Sequence, residues 1–308
     1  MRILIAGASG FLGTALSRRA EADGHTVVRL RRGAPGAAGT TWDPRAGVLD
    51  PAALAGVEAI INLAGESIAG GRWSAARKRR IHDSRCRGTD LLARAAAAQR
   101  DTVRVLINAS AVGIYGDRGD AVLTEADATG TGFLAEVGVA WEAATTPASA
   151  AGIRVVLPRF GILLDPSGGM LRQLHTPFRW GLGARLGDGT QWMSWLALED
   201  AVNLVFQALD DATLAGPLNA VSPEPVQNAE FTAALGAALG RPAPWCAPAP
   251  ILRLALGEMA EELLLASQRC APARLIATGF AFIHPSLGPA LATMYDRSSP
   301  APHGPGAP

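Results

Sequence analysis

The sequence has few cysteines and no long apolar run, which argues against a disulfide framework, a cysteine metal site or a membrane span. Its 308 residues include three cysteines, Cys86, Cys246 and Cys270, which are far apart and form no C-x-x-C motif. An odd and dispersed set argues against a disulfide framework and fits a reducing compartment. No run approaches the roughly 20 apolar residues of a transmembrane helix, and glycines interrupt the first apolar run too early for a secretory signal. We therefore expect a cytoplasmic protein without a membrane partner.

Lysine is almost absent: of the 28 lysine and arginine residues, only Lys78 is a lysine. Acidic residues number 27, so the formal net charge is +1, and charge gives no reason to expect a nucleic-acid partner. The basic residues between Arg72 and Arg80 could form a nucleic-acid patch, but a solvated helix face or the edge of an anionic-substrate site suits the balanced charge better. We expect a small-molecule substrate and a monomer or homodimer.

Short apolar runs alternate with helical patterns in the first half of the chain. Apolar residues supply 49% of the sequence, enough for a substantial core, and the length corresponds to two domains at about 150 residues each. Buried strands are predicted at residues 2–6, 26–30, 57–63, 103–109 and 154–158, with helices at 11–22, 87–100 and 132–148. This alternation predicts an α/β protein with a Rossmann-type, doubly wound parallel sheet.

Beyond Phe160 the regular alternation weakens, which indicates a change in organisation. Helical patterns resume at residues 200–209, 229–240, 251–266 and 271–278. We predict a nucleotide-binding, Rossmann-like domain over 1–222, whose irregular, glycine-rich segment 161–195 faces the substrate. A smaller, mainly helical substrate lobe is predicted over 223–295, closing one side of the substrate pocket. The small residues and prolines of 296–308 predict a disordered tail.

A glycine-rich turn joins the first predicted strand to the first helix. Gly7 permits a tight turn, Gly10 lets the backbone approach a pyrophosphate, and Gly13 allows close packing of helix against strand. The helix N-terminus then offers free N–H groups to phosphates. A glycine triplet is weak evidence in a chain with 35 glycines, but its position between strand and helix is specific. The residues predicted to bind a dinucleotide here are Gly7, Ser9, Gly10, Phe11, Leu12 and Gly13.

The end of the second strand predicts which dinucleotide binds. An NAD site usually has an acidic residue there for the ribose 2′-hydroxyl. This strand ends instead in Arg31 and Arg32, which could pair with a 2′-phosphate. A solvated basic strand end is the alternative, and we predict NADP as the cofactor.

With these residues in view, the chain resembles the extended and atypical short-chain dehydrogenase/reductases. More narrowly, it resembles the epimerase-family branch of NAD-dependent epimerase/dehydratase-like proteins, which carries a C-terminal domain of unknown function. The resemblance covers roughly residues 1–295, and the stretches that carry it are 7–13, 62–66, 110–117, 159–164 and 257–269. The glycine turn is shared by the whole superfamily, whereas Asn62–Glu66 and the C-terminal stretch are specific to the branch.

The resemblance implies further cofactor contacts at the carboxyl ends of three strands. These are Leu63, Ala64 and Gly65 on the adenine-ribose side, Asn108 and Ala109 beside the nicotinamide ribose, and Arg159, Gly161 and Ile162 beside the nicotinamide. Core packing is an equally good account of Leu63 and Ile162.

The sequence departs from the wider superfamily at its Tyr-x-x-x-Lys pair, in which the lysine lowers the pKa of the proton-donating tyrosine. The helix after the fourth strand contains neither residue, and Tyr115 and Tyr295 are the only tyrosines. The branch that the chain resembles shares this loss. We therefore predict that Tyr115 transfers the proton with help from Ser110, with Arg159 and Arg85 as neighbouring cations. The alternative is a tyrosine that packs beneath the substrate loop.

Aromatic side chains in the irregular segments could line an apolar substrate pocket, although core packing explains any one of them equally well. The candidates are Trp73, Phe178, Trp180, Trp192 and Trp195. No spacing of histidine, cysteine or acidic residues indicates a metal site. We predict an NADP(H)-dependent oxidoreductase or epimerase-like enzyme acting on a small to medium organic substrate. The alternatives are an NADP-binding sensor or scaffold, and the same fold used for a non-redox isomerisation or cyclisation.

Overall fold

A computed structural model describes residues 1–33 and 40–298 of the chain. Its strands are β1 (Arg2–Ala6), β2 (Thr26–Arg32), β3 (Thr41–Asp43), β4 (Val48–Leu49), β5 (Ala59–Asn62), β6 (Val105–Asn108), β7 (Ser110–Ala111), β8 (Val122–Leu123), β9 (Arg154–Phe160), β10 (Ile162–Leu164), β11 (Ala184–Leu186), β12 (Trp192–Met193), β13 (Trp195–Ala197), β14 (Gly216–Ala220), β15 (Val226–Gln227), β16 (Trp245–Ala247) and β17 (Arg269–Cys270). Its α-helices are α1 (Phe11–Ala22), α2 (Ala75–Ala98), α3 (Phe133–Ala143), α4 (Thr146–Ala150), α5 (Gly169–Arg179), α6 (Leu198–Asp210), α7 (Asn228–Ala238), α8 (Ala249–Leu256), α9 (Ala273–Ala277) and α10 (Leu287–Ser298). Short 3₁₀ turns cover Pro51–Leu54 and Val112–Tyr115, and a π-helical turn covers Ala260–Leu265.

The main sheet has the order β14-β9-β6-β5-β1-β2-β3-β4, and β7 also pairs with β9. These pairings are parallel except that between β3 and β4. The order reverses at β1, which lies between β2 and β5, so a crevice opens at the carboxyl ends of these strands. The predicted Rossmann-type parallel sheet is confirmed.

Helices cover both faces of the sheet, as the apolar strand sequences require. Ile3 and Ile5 of β1 pack with α1 and α6 on one face, whereas Leu4 packs with α2 on the other. Successive side chains of a strand point to opposite faces, so one apolar strand supplies both layers.

Three predicted helices differ from the structure for identifiable reasons. The helix predicted at 87–100 begins at Ala75, where the Ser74 hydroxyl accepts a hydrogen bond from the Arg77 N–H. The helix predicted at 132–148 is two helices, α3 and α4, with Pro147 in the first turn of the second. The helix predicted at 251–266 breaks at Gly257, whose φ is +62°.

The part of the chain after Ser222 contributes a third apolar cluster. Phe231 and Leu235 of α7 pack against Leu287 and Leu291 of α10, and Trp195 joins them from β13. Helix α10 continues to Ser298, so the first three residues of the predicted disordered tail are helical, which corrects that prediction. The rest of the predicted tail lies outside the described residues. Within the described ranges, no helix combines the length and apolar character needed to cross a bilayer.

Candidate active site

The glycine turn forms a phosphate-sized cradle at the start of α1. Gly7 has a φ of +81°, a conformation that side chains disfavour. A Cβ at Gly13 would lie 2.2 Å from the Gly7 carbonyl oxygen, so α1 can approach β1 this closely only with glycine there. The first turn of α1 has no side-chain cap and no acidic residue. Its N–H groups and positive dipole end are therefore available to bind an anion.

A cleft of about 830 Å³ opens over this turn and along the end of β2. Its lining includes many of the predicted cofactor residues, namely Gly7, Ser9, Gly10, Arg31, Arg32, Leu63, Ala64 and Gly65. Phe11, Leu12 and Gly13 form the first turn of α1 beneath it. A second cleft of about 810 Å³ shares Arg32 with the first and is also lined by Arg79, Arg80 and Arg87 of α2. None of these three arginines was predicted from the sequence to contact the cofactor.

Asn108 does not face the cleft, which corrects one predicted cofactor contact. Its side chain is fully buried and accepts hydrogen bonds from Asn62 Nδ2 (2.7 Å) and Thr89 Oγ1 (3.0 Å). Thr89 Oγ1 in turn accepts from Trp141 Nε1 (2.9 Å). This buried network ties β5 and β6 to α2 and α3. The Asn108 side chain is therefore engaged within the protein, whereas the cofactor contact of Ala109 stays a prediction.

Arg159 and Ser110 belong to a second buried network, centred on Glu142 of α3. Arg159 donates from Nε and Nη2 to the two oxygens of Glu142, each at 2.8 Å, and Ser110 Oγ donates to Oε1 at 2.7 Å. The Arg159 and Glu142 side chains are 7% and 14% exposed. The predicted roles of Arg159 beside the nicotinamide and of Ser110 in proton transfer are therefore not supported, because both side chains are directed to Glu142.

Tyr115 is the other end of this network, and it is 0% exposed. Its hydroxyl accepts from Arg159 Nη1 (2.8 Å) and lies 2.8 Å from Asn219 Oδ1 and 3.0 Å from the Thr124 carbonyl oxygen. Burial raises the pKa of Tyr115 to about 12, against the smaller opposing effect of Arg159. A buried hydroxyl with protein partners does not reach a substrate. The prediction that Tyr115 is the proton donor is therefore wrong, and the alternative of a packed tyrosine holds.

We expect the Tyr115→Phe variant to keep its activity and lose stability. Removing the hydroxyl leaves Arg159 Nη1 and Asn219 Oδ1 without this partner, and such a loss typically costs about 1–3 kcal/mol. Urea unfolding measures the cost, and kcat for any substrate should stay at the wild-type value. A large fall in kcat with unchanged stability would restore Tyr115 as the proton donor.

An apolar cavity of about 540 Å³ lies beside the carboxyl ends of β7 and β9. Ala111, Gly161 and Ile162 line the side nearest the sheet. Of the aromatic residues proposed from sequence, Phe178 and Trp192 line it. The other three candidates, Trp73, Trp180 and Trp195, do not line this cavity. Trp180 is 76% exposed, Trp195 is buried in the apolar cluster around α7 and α10, and Trp73 packs edge-on against Phe133 with ring centroids 5.1 Å apart.

Helix α3 presents one face to the cavity through Leu134, Val137, Gly138 and Trp141. Leu134 and Gly138 have the spacing of the missing Tyr-x-x-x-Lys pair, and no side chain on this face can exchange a proton at neutral pH. These four residues, together with Phe231 and Gln268, were not predicted from the sequence to line a site. The i, i+3, i+4 and i+7 spacing of Leu134, Val137, Gly138 and Trp141 could have indicated that they share one face of α3.

The C-terminal part of the chain closes the far side of the cavity. Glu262 in the π-helical turn accepts hydrogen bonds from the backbone N–H groups of Phe133 (2.8 Å) and Leu134 (2.7 Å), and so caps α3. Each carboxylate oxygen of Glu262 therefore accepts one backbone hydrogen bond. Leu263, Gln268 and Phe231 complete the lining on this side.

Arg85 of α2 lies where the cleft and the cavity meet. It lines the cavity, and a Cβ at Gly65 in the cleft would lie 3.2 Å from its Cζ. Nη1 donates to the carbonyl oxygens of Glu66 (3.0 Å) and Ile81 (3.2 Å), and the guanidinium lies over the Trp141 ring at 5.1 Å. The Glu66 carboxylate pairs with Arg80 instead. Burial lowers the pKa of Arg85 to about 10, so the group stays charged at neutral pH.

No cluster of three or more potential metal ligands occurs among the described residues. The site consists of a basic, glycine-rich cleft and an apolar cavity, which adjoin each other at Arg85 and Gly65.

Family models match two parts of the chain. A model for the NAD dependent epimerase/dehydratase family matches residues 3–219, and a model for a domain of unknown function, DUF1731, matches residues 247–294. The "Epimerase family protein MT2273" of Mycobacterium tuberculosis is 48% identical over 290 residues, which cover 94% of this chain and 96% of that protein.

Two solved structures illustrate how far the fold extends. The crystal structure of human epimerase family protein SDR39U1 with NADPH is 32% identical, with a TM-score of 0.87 over 96% of this chain and 99% of that one. The UDP-glucuronic acid 4-epimerase of Bacillus cereus, in complex with UDP-glucuronic acid and NAD, has a TM-score of 0.75 at 16% identity over 96% and 98% of the two chains. The second likeness concerns the fold alone.

Proposed function

The chain belongs to the NAD-dependent epimerase/dehydratase family, and from that premise we propose that it is an NADP(H)-dependent oxidoreductase or epimerase-like enzyme acting on a small to medium organic substrate. One observation carries the proposal. The glycine-rich cleft opens beside an apolar cavity, and Arg85 borders both. A dinucleotide and an organic substrate can therefore meet at this boundary.

The residues of the cleft fit a dinucleotide. Gly7 and Gly13 leave no room for side chains between β1 and α1, and the uncapped N-terminus of α1 suits a pyrophosphate. Ala64 and Gly65 add two small, uncharged residues to the lining of the cleft. When bound, the nicotinamide cofactor supplies hydride transfer, and the chain's contribution is to orient it and to exclude water.

The preference for NADP(H) rests on Arg31 and Arg32. Both are exposed at the end of β2, and neither has a polar side-chain partner in the described part of the chain. Guanidinium groups in this position can bind the 2′-phosphate with charge-assisted hydrogen bonds. The human relative with NADPH supports the same choice.

The Arg32→Ala variant is expected to bind NADPH about ten- to a hundredfold more weakly, because it loses a charge-assisted phosphate contact of about 1.5–3 kcal/mol. Its affinity for NADH should be unchanged, because NADH has no 2′-phosphate. Titrations of both cofactors, followed by nicotinamide fluorescence, measure the two affinities.

Arg94→Ala is the matched control. Arg94 is exposed on α2 and pairs with Asp90, away from the cleft. An equal fall in NADPH and NADH affinity for Arg32→Ala, or a wild-type preference for NADH, would overturn the NADP assignment.

A second candidate is an NADP-binding protein without net redox chemistry, either a sensor or an isomerising enzyme. The cavity face of α3 favours it, because Leu134 and Gly138 occupy the spacing of an acid–base pair. NADPH binding without oxidation of NADPH by any carbonyl compound would support this candidate over the first.

We further propose that residues 223–295 act as the substrate lobe. Phe231 and Thr232 of α7 and Leu263 and Gln268 after α8 line the cavity from this part of the chain. The contact of Glu262 with the start of α3 fixes the lobe on the Rossmann-like part. Location in the cytoplasm, and a monomer or homodimer without a nucleic-acid partner, stay predictions.

A further inference from the structure

We propose that the cavity takes a neutral, conjugated carbonyl compound, either a quinone or an enone, and that Arg85 stabilises the oxyanion formed when this compound is reduced. The inference rests on the proposed function, which provides the reduced nicotinamide. It is carried by the aromatic walls of the cavity, by the lack of a proton donor among them and by the position of Arg85.

The walls suit a planar apolar ligand better than a charged one. The aromatic residues that line the cavity are Trp141, Phe160, Phe178, Trp192 and Phe231. Aromatic side chains of this kind can pack against a conjugated ring system. Arg85 is the single cation among the described lining residues, whereas a nucleoside diphosphate usually requires several donors or positive charges. The lining therefore selects against nucleotide sugars.

Apart from Glu262, the described lining residues include no aspartate, histidine, tyrosine, cysteine or lysine that could protonate a simple carbonyl oxygen. The face of α3 is apolar, and both oxygens of Glu262 accept backbone hydrogen bonds. The Ser194 hydroxyl donates to the Gln268 carbonyl oxygen (2.7 Å). A substrate reduced here must therefore form an anion that is stable enough to persist until water protonates it.

Conjugation in the substrate stabilises the anionic product in this way. Reduction of an isolated ketone forms an alkoxide, which is about as basic as hydroxide, and the pKa of water is about 15.7. Reduction of a quinone leaves a phenolate, and the pKa of a phenol is about 10. The phenolate is thus roughly a millionfold weaker base than the alkoxide. An enolate resembles the phenolate because its negative charge is also delocalised over a conjugated system. A conjugated acceptor therefore does not need a protein acid.

The atoms balance without a further reactant. An enone accepts hydride from the reduced nicotinamide at its β-carbon, and the carbon–carbon π electrons move to give the enolate oxygen its charge. Water then delivers one proton, and the product is the saturated ketone. A quinone likewise accepts one hydride and one proton and becomes a hydroquinone.

Arg85 is positioned to stabilise the charge that develops on oxygen. Its guanidinium is held by the carbonyl oxygens of Glu66 and Ile81 and stacks on Trp141, but no described carboxylate neutralises it within ion-pair distance. A preorganised charge in an apolar site acts strongly on a developing oxyanion. Gly161 and Ile162, which are predicted to lie beside the nicotinamide, line the same cavity as Arg85, so the oxyanion would form near the hydride donor.

The first test is binding to the protein without cofactor. Menadione, a naphthoquinone, should quench the fluorescence of Trp141 and Trp192 in a saturable manner. UDP-glucose should neither bind nor displace it. NADPH binding is measured in a separate titration, so a protein that does not bind NADPH disproves the proposed function, whereas one that binds NADPH but not menadione disproves this inference alone.

The second test compares turnover under anaerobic conditions. Menadione and cyclohexenone should oxidise NADPH, cyclohexanone and UDP-glucose should not, and the wild-type rate should show no solvent deuterium isotope effect. Arg85→Gln should lower kcat by about 10²–10³, the usual cost of one oxyanion donor, while the Kd for NADPH is unchanged. Arg85→Lys should recover part of the loss because it keeps the charge, and Arg94→Gln is the control on the same helix.

Three results would overturn the inference. The first is turnover of cyclohexanone as fast as cyclohexenone. The second is NADPH binding without turnover of either conjugated compound. The third is an Arg85→Gln variant that weakens NADPH binding but keeps kcat at saturating cofactor, since Arg85 would then serve the cofactor alone. Thermal unfolding of each variant verifies that it is folded.

Discussion

Gly13→Ala is expected to abolish NADPH binding and to destabilise the protein by about 1–3 kcal/mol or more, as overpacking of a tight contact does. A Cβ at this position would lie 2.2 Å from the Gly7 carbonyl oxygen and 2.9 Å from the Ala8 Cα. These are backbone atoms that cannot rotate away. Helix α1 would have to move off β1, and its N-terminus would no longer be directed at the pyrophosphate.

Gly288→Ala is the matched control for this substitution. A Cβ there would meet nothing within 4 Å, and the residue lies in α10, where alanine is favoured over glycine by up to about 1 kcal/mol. NADPH titration and urea unfolding of both variants separate the loss of the cradle from a general effect of the methyl group. Wild-type NADPH affinity in Gly13→Ala would contradict the assignment of the turn to the cofactor.

Glu142→Ala is expected to cost about 3–5 kcal/mol, because it leaves the buried Arg159 guanidinium without its countercharge. Glu142 accepts two hydrogen bonds from Arg159 and one from Ser110, and both partners are buried. The free energy of urea unfolding measures the loss. The double variant Glu142→Leu with Arg159→Met should recover much of it, because no charge is then left unpaired.

Glu261→Ala provides the comparison at the surface. The Glu261 and Arg253 side chains are 49% and 53% exposed, and such a pair contributes about 0–1 kcal/mol. If Glu142→Ala cost no more than Glu261→Ala, the network of Glu142, Arg159 and Tyr115 would not be a stabilising element of the fold.

The sequence predicted the fold where local signals were strong. The apolar run of β1 and the glycines after it determined both the strand and the start of α1, and the structure has α1 at Phe11–Ala22 as predicted. The first half of α2 was missed because residues 75–87 are mostly charged or polar and lack an apolar stripe. Its start depends on the Ser74 cap, which a run of arginines obscures.

The cleft was predictable and the cavity largely was not, for a physical reason. The cleft is built by residues close to one turn and to the ends of adjacent strands. The cavity brings together side chains from α3, α5, α7 and the turn after α8, whose proximity no local pattern encodes. Tyr115 was assigned to catalysis for the same reason, since its partner Asn219 comes from β14, far along the chain.

Transfer of deuterium from labelled NADPH to cyclohexenone tests most directly whether cleft and cavity form one active site. The label is placed on the nicotinamide carbon that gives up hydride, and the product is analysed by mass spectrometry and NMR. We expect one deuterium on the β-carbon of cyclohexanone formed in ordinary water, and none on the α-carbon. Product without deuterium, or labelled NADPH that stays unchanged in the presence of protein and cyclohexenone, would contradict hydride transfer from a cofactor in the cleft to a substrate in the cavity.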